Sequence, residues 1–84
     1  MGRNRRIQPN RLAEKLKAVR EKSELTAEQL IERLNCPQIP LHRASITEYE
    51  KGRREPPSLV LLAYARLANI PVEILIDDDL DLPN

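Results

Sequence analysis

The stretch LNCPQIPLHRASITEYEKGRREPP, residues 34–57, decides how this chain folds. Pro37 and Pro40 stand three residues apart, and a proline inside a helix removes a hydrogen bond and clashes with the preceding turn. A helix therefore stops at Leu34–Asn35, where asparagine suits a left-handed end. Helical character resumes around His42–Ala44 and runs to about Lys51, with Ile46 and Tyr49 as its inward pair at i, i+3. Gly52 ends it, Arg53 and Arg54 sit just beyond, and Pro56-Pro57 makes a turn. The resumed helix has only a narrow apolar stripe, so most of its surface is left for something other than the core.

Upstream, Thr26 opens the helix that Asn35 closes. Thr26-Ala27-Glu28-Gln29 is a capping box, and Leu25 and Leu30 have the spacing of a hydrophobic staple. Leu30, Ile31 and Leu34 supply that helix with a buried face. A first helix is expected from near Pro9 or Asn10, with Leu12, Leu16 and Val19 at helical spacing. Residue 18 is Ala, so Glu14 has no i,i+4 lysine and the first helix must be held by packing. Downstream, Ser58 caps a fourth helix, LVLLAYARLAN, which Asn69 closes, and Pro71 begins a short fifth, PVEILI. No segment alternates with period two for long enough to be a strand. The expected fold is all-α, a compact bundle of five short helices. Residues 1–8 are read as a basic flexible arm, 9–76 as the domain, and 77–84 as a frayed acidic tail.

A chain of 84 residues makes one domain with a thin core and little room for an enclosed active site. It has no Trp or Phe, so Leu, Ile, Val, Ala and two Tyr must fill that core. The lone cysteine, Cys36, excludes an internal disulfide and makes a reducing, cytoplasmic setting the simpler expectation. No apolar run approaches the ~20 residues of a membrane span, and no signal-peptide apolar region follows Met1. Net charge is only +1, but it is unevenly spread. Residues 1–20 carry seven Lys/Arg and one Glu, residues 21–54 six of each sign, and residues 55–84 one Arg and six acids. A polyanion is expected to be drawn to the N-terminal part and repelled by the tail. No enzyme is expected. There is no Gly-rich phosphate loop, one His and one Cys assemble no nucleophile–base pair, and the acids of DDDLDL sit in the tail. His42 has no second His or Cys at ligand spacing, so neither metal nor cofactor is implied, and Cys36 reads as a small structural thiol.

Helix, connector, then an exposed helix held by two anchors is the layout of a helix-turn-helix DNA-binding unit. With Ile46 and Tyr49 turned inward, Arg43, Ala44, Ser45, Thr47 and Glu48 are left for the outer faces. Those faces suit a major groove about 12 Å wide. LTAEQLIERLN followed by RASITEYEKGRREPP resembles the phage-repressor and Cro-like helix-turn-helix domains of the xenobiotic-response-element type, over about residues 11–76. The most specific fragment is ITEYEKGRREPP, where Ile, an aromatic residue, Glu and Gly keep the family's order and spacing.

The resemblance implies roles for particular residues. Arg20 and Glu50 would pair and clamp the first helix to the third; a loose surface pair is the alternative. Base contacts would come from Arg43, Ala44, Ser45, Thr47 and Glu48, with Arg43 suited to guanine, the Ala44 methyl to thymine and Glu48 to cytosine N4. A plain solvated role for Glu48 stays open. Phosphate contacts would come from Thr26, His42, Lys51, Arg53 and Arg54. The family often has Gln where Ala27 stands, and Ala27 has no amide to grip phosphate. Relative to the family's connector, CPQIP is an insertion, stiffened by its prolines, with Ile39 and Leu41 available to pack beneath it. Service to the phosphate backbone and a neutral surface loop both stay open for it. The basic arm either enters a minor groove or adds nonspecific charge.

The fourth helix is apolar all round, which a surface helix of a small monomer should not be. Leu61, Tyr64, Ala65 and Ala68 fit the core. Leu59, Leu62 and Leu67, with Ile74 and Ile76, form a second apolar surface, read as a homodimer patch. A dimer would set two recognition helices about 34 Å apart on a palindromic operator. The expected function is a sequence-specific, double-stranded-DNA-binding transcriptional regulator, cytoplasmic and associated with the nucleoid. The competing reading is a protein-interaction or antitoxin-like subunit whose fourth helix and acidic tail grip a partner.

Overall fold

The computed structural model describes residues 9–83, and the expected basic arm, residues 1–8, lies outside them. Five helices follow one another among the described residues, with no strand: α1 (Leu12–Lys22), α2 (Ala27–Leu34), α3 (Arg43–Glu50), α4 (Ser58–Ala68) and α5 (Glu73–Ile76). α1 packs on α3, α4 and α5, while α2 packs on α3 and α4. Leu16, Leu30, Ile46, Val60, Tyr64 and Leu75 meet at the centre, each essentially sealed from solvent. Removing that area from water is the main favourable term in a fold this size.

Local chemistry sets the helix ends. α2 starts with the expected capping box: Thr26 Oγ1 accepts from the Gln29 N–H at 3.2 Å, and Gln29 Oε1 accepts from the Thr26 N–H at 2.9 Å. It ends in Asn35, at φ 49°. α1, α3 and α4 all close in the same way. After α3, the Gly52 N–H donates to the Tyr49 carbonyl and the Arg53 N–H to the Glu48 carbonyl, with Gly52 at φ 74°. This double bond around a left-handed residue is a Schellman motif. Glu24 (φ 58°) holds the equivalent place after α1 and Asn69 (φ 59°) after α4. α4 begins one residue off the expected cap, since Pro57 is the cap residue and Ser58 is already helical. In the connector, Pro37 sits inside a turn closed by the Ile39 N–H on the Cys36 carbonyl at 3.1 Å. Cys36, Ile39 and Leu41 pack down on the core, so the inserted segment is seated rather than free.

The C-terminal tail corrects the sequence reading. It is not frayed but folded back along α1. Asp78 caps the start of α1 from across the chain: its Oδ2 accepts from the Asn10 N–H and its Oδ1 from the Arg11 N–H, each at 2.9 Å. These two backbone bonds, Arg11 first, hold the Asp78 carboxyl below the usual carboxylate range. Arg11 in turn donates to the Asp78 carbonyl at 2.9 Å and to Asp81 Oδ1 at 2.7 Å, and it also pairs with Glu14 at 3.3 Å. Lys15 lies between tail and helix with 2% of its surface exposed. Its ammonium donates to the carbonyls of Ile74 (2.8 Å), Asp77 (2.9 Å) and Leu80 (2.7 Å), which uses all three of its N–H groups. Leu82 then packs against the core.

α4 differs in detail from the expectation. Val60 is buried together with Leu61, Tyr64 and Ala65, whereas Ala68 is only partly covered. Of the expected second surface, Leu59 is 48% and Ile76 41% exposed, and Leu62 and Ile74 are half-buried. Leu67 is half-buried as well, packing partly against the core and lining a surface pocket with Leu59 and Leu62.

Candidate nucleic-acid interface

α2, the connector and α3 form the candidate site. α3 is held from beneath by Ile46 and Tyr49, both about 1% exposed, as the i, i+3 pattern requires. The Arg20–Glu50 pair fixes its C-terminal end to α1. Arg20 Nε lies 2.7 Å from Glu50 Oε2 and Nη2 lies 3.0 Å from Oε1, a two-pronged contact. Nη1 reaches the Leu25 carbonyl at 3.2 Å, tying in the entry to α2 as well. The side chains are 23% and 10% exposed, so this is the clamp and not the loose surface pair. Glu50 raises the already high pKa of Arg20, and loss of either partner would strand a charge at a cost of about 3 kcal/mol.

The residues expected to face outward divide. Arg43, Ala44 and Thr47 are exposed, and Glu48 is half-buried. Ser45 is the correction. It is 6% exposed, and its Oγ accepts from the His42 N–H at 3.2 Å, closing the N-terminus of α3 from inside. The sequence placed it outward because a small polar residue one position from an anchor carries no burial signal; its place in the first turn was the available clue. Thr47 donates its hydroxyl to the Arg43 carbonyl at 3.2 Å.

The expected phosphate group is dispersed around the ends of these helices. Thr26 and His42 are exposed cap residues at the starts of α2 and α3. Lys51, Arg53 and Arg54 are exposed past the end of α3. Arg54 lies over the Tyr49 ring, 5.6 Å from its centroid, which orients a cation that is otherwise in solvent. Arg53 Nη1 comes within 3.5 Å of Glu48 Oε2. Pro9, the first described residue, shares a shallow pocket with Tyr49, Gly52 and Arg54 beside the end of α3.

One partner was not anticipated. Glu28, in the first turn of α2, accepts from Arg43 Nε through Oε2 at 2.6 Å, and Nη2 contacts the same oxygen. Arg43 first, and the Glu28 backbone N–H second, hold this carboxyl below its usual range. The sequence signal was weak, because an acid in a first helical turn already has a reason to be there in the helix dipole.

Among the described residues, no group of three or more His, Cys, Asp or Glu converges as a metal would need, and no helix is long and apolar enough to cross a membrane. A family model described as a helix-turn-helix domain matches residues 11–74. The chain belongs to the helix-turn-helix domain family. Neither the curated proteins nor the solved structures gave a match. The matched span covers all of α1 to α4, with the clamp, both caps and the seated connector inside it. In this helix-turn-helix domain α3 occupies the place of the second, outward helix, and α2 that of the scaffold helix.

Proposed function

We propose that this helix-turn-helix domain is a sequence-specific DNA-binding transcriptional regulator that acts on a palindromic operator as a homodimer, in the cytoplasm at the nucleoid. The observation that carries the reading is the division of α3 into two faces. One side is sealed by Ser45, Ile46 and Tyr49; the other presents Arg43, Ala44, Thr47 and Glu48, with Lys51, Arg53 and Arg54 at its end. Arg43 reads guanine, Ala44 contacts a thymine methyl, and Thr47 and Glu48 border the neighbouring bases. Thr26, His42, Lys51, Arg53 and Arg54 hold phosphates and set the register. Leu59, Leu62, Leu67, Ile74 and Ile76 supply the apolar surface for a second copy.

Selection of bound sequences from random double-stranded DNA tests this directly. Enrichment of a two-fold-symmetric motif with half-site centres one helical turn apart is the expected result. Recovery of unenriched sequence rejects it. The exposed Leu59 and Ile76 also support a second reading, a protein-interaction subunit gripping a partner through α4. In the tail, Asp78 and Asp81 are engaged at the start of α1, and Asp77 and Asp79 are the exposed acids left for such a partner. Sedimentation of the purified chain separates the two: a stable dimer fits the first, and a monomer that aggregates without a partner fits the second.

A further inference from the structure

The pair between Glu28 and Arg43 joins two helices that meet at the proposed DNA surface. We infer that Glu28 is a positioning residue that aims Arg43 at its base and so sets sequence preference there. The inference rests on the reading of Arg43 as a base contact given above.

Only one edge of the Arg43 guanidinium is taken up by Glu28. Glu28 Oε2 takes the Nε and Nη2 side, a side-on grip. Nη1 makes no hydrogen bond or ion pair among the described residues. The Nη1–Nη2 end of the planar fork therefore stays open, and that end matches guanine O6 and N7 in the major groove. Carboxylate and base use different edges, so binding the base need not break the pair.

The second part concerns rigidity. A long arginine side chain standing at the start of an exposed helix has many rotamers, and ordering it on binding is costly. Glu28 is well placed to do this ordering beforehand. It sits in the first turn of α2, which is fixed by the Thr26–Gln29 box and packed on both α3 and α4. Arg43 is the first residue of α3, whose start is closed by Ser45. The two anchor points are thus held at constant separation while both side chains remain solvent-exposed, 56% for Glu28 and 73% for Arg43. A pair so exposed adds little to folding, because water and salt screen it. Its consequence is in where Arg43 points.

The charge of Glu28 makes the inference sharp. A carboxylate near a phosphate backbone opposes binding in general, so its removal should favour nonspecific DNA. Loss of aim should at the same time weaken the preference for guanine. Affinity and discrimination are then expected to move in opposite senses, which a purely structural role would not produce.

The test uses the full chain as wild type, E28Q, R43K and E28Q/R43K. Each is taken through selection from random double-stranded DNA. Each is then titrated by fluorescence anisotropy against the wild-type site, the same site altered at the Arg43 base, and mixed-sequence duplex. Wild type is expected to prefer guanine by roughly 5- to 150-fold, the range of a good bidentate contact. E28Q should lose most of that preference, bind mixed-sequence DNA equally or more tightly, and melt as wild type does. In the R43K background E28Q should change no base preference, since lysine has no fork to aim. Full retention of guanine preference in E28Q overturns the assignment. So does an equal loss of affinity for every sequence, or an effect that persists with R43K. If wild type itself enriches no motif, the DNA-binding reading fails and takes Glu28 with it. A wild-type motif that E28Q leaves unchanged removes only the role of Glu28.

Discussion

Two regions of this molecule pair basic with acidic residues and put them to opposite uses. Along the seam between α1 and residues 77–83, Lys15 and Arg11 are taken up by backbone carbonyls and tail carboxylates, and Asp78 caps the start of α1. On the α2–α3 face, Arg43 and Arg53 touch Glu28 and Glu48 while staying largely in solvent. The seam converts charge into fixed geometry; the face keeps it accessible. What separates the two is burial and the kind of acceptor. A backbone carbonyl sealed from water cannot exchange its partner cheaply, whereas an exposed carboxylate can.

Substitutions can break this contrast, and the largest effect should come from the seam. Deleting residues 77–84 removes the remote cap, two of the three Lys15 acceptors and Leu82. Denaturant titration should show a loss on the order of 4 kcal/mol, most of the stability of a domain this size. An unmoved midpoint would mean that the tail merely rests on α1. Next is Lys15→Met, which keeps an apolar stem but leaves three carbonyls without their donor. It should cost about 3 kcal/mol, with base preference unchanged. Arg43→Ala is the mirror image: base preference is lost, and stability should move by less than about 0.5 kcal/mol.

A smaller effect is confined to acid. The folded Asp78 carboxyl lies below its usual range, so its contribution is fully present above the unfolded carboxylate pKa of about 4. It is lost as pH falls through the lower folded value. Asp78→Asn should therefore flatten the acid limb of a stability–pH curve, and an identical limb in the variant would remove Asp78 from the account. The smallest effect tests backbone strain on the seam side of α1. Glu24 holds a left-handed conformation at φ 58°, and Glu24→Gly should raise stability by about 0.5–1 kcal/mol in the same titration.

The contrast also explains what was legible in the sequence. Local signals carried over almost unchanged: the Thr26–Gln29 box, Asn35 as a left-handed end, Gly52 as the stop after α3, and the Ile46–Tyr49 anchors. Each depends on residues within a few positions of one another, where propensity and period speak directly. The Arg20–Glu50 clamp spans α1 and α3, so no local pattern reveals it, and it came through the resemblance alone. The seam was missed altogether. DDDLDLPN has the composition of a frayed end, and nothing in a linear reading tells Lys15 from a solvated lysine. Yet Lys15 stands one position before Leu16, on the side where α5 and the tail close over α1. Charge summed along the chain could not show that Arg11 meets Asp78 and Asp81 in space. Ser45 failed for the converse reason, as its hydroxyl is satisfied by a backbone group one turn away.

Whether the exposed face of α3 and the basic turn after it bind DNA decides the proposed function. Fluorescence anisotropy of a mixed-sequence duplex across a series of salt concentrations tests it most directly, with wild type beside an Arg53→Ala/Arg54→Ala variant. The account predicts that binding weakens steeply with salt, by about 0.9 in the log–log slope for each phosphate contact, and that the variant's slope is shallower by roughly two such contacts. Binding that ignores salt, or no binding even at the lowest salt, would contradict it.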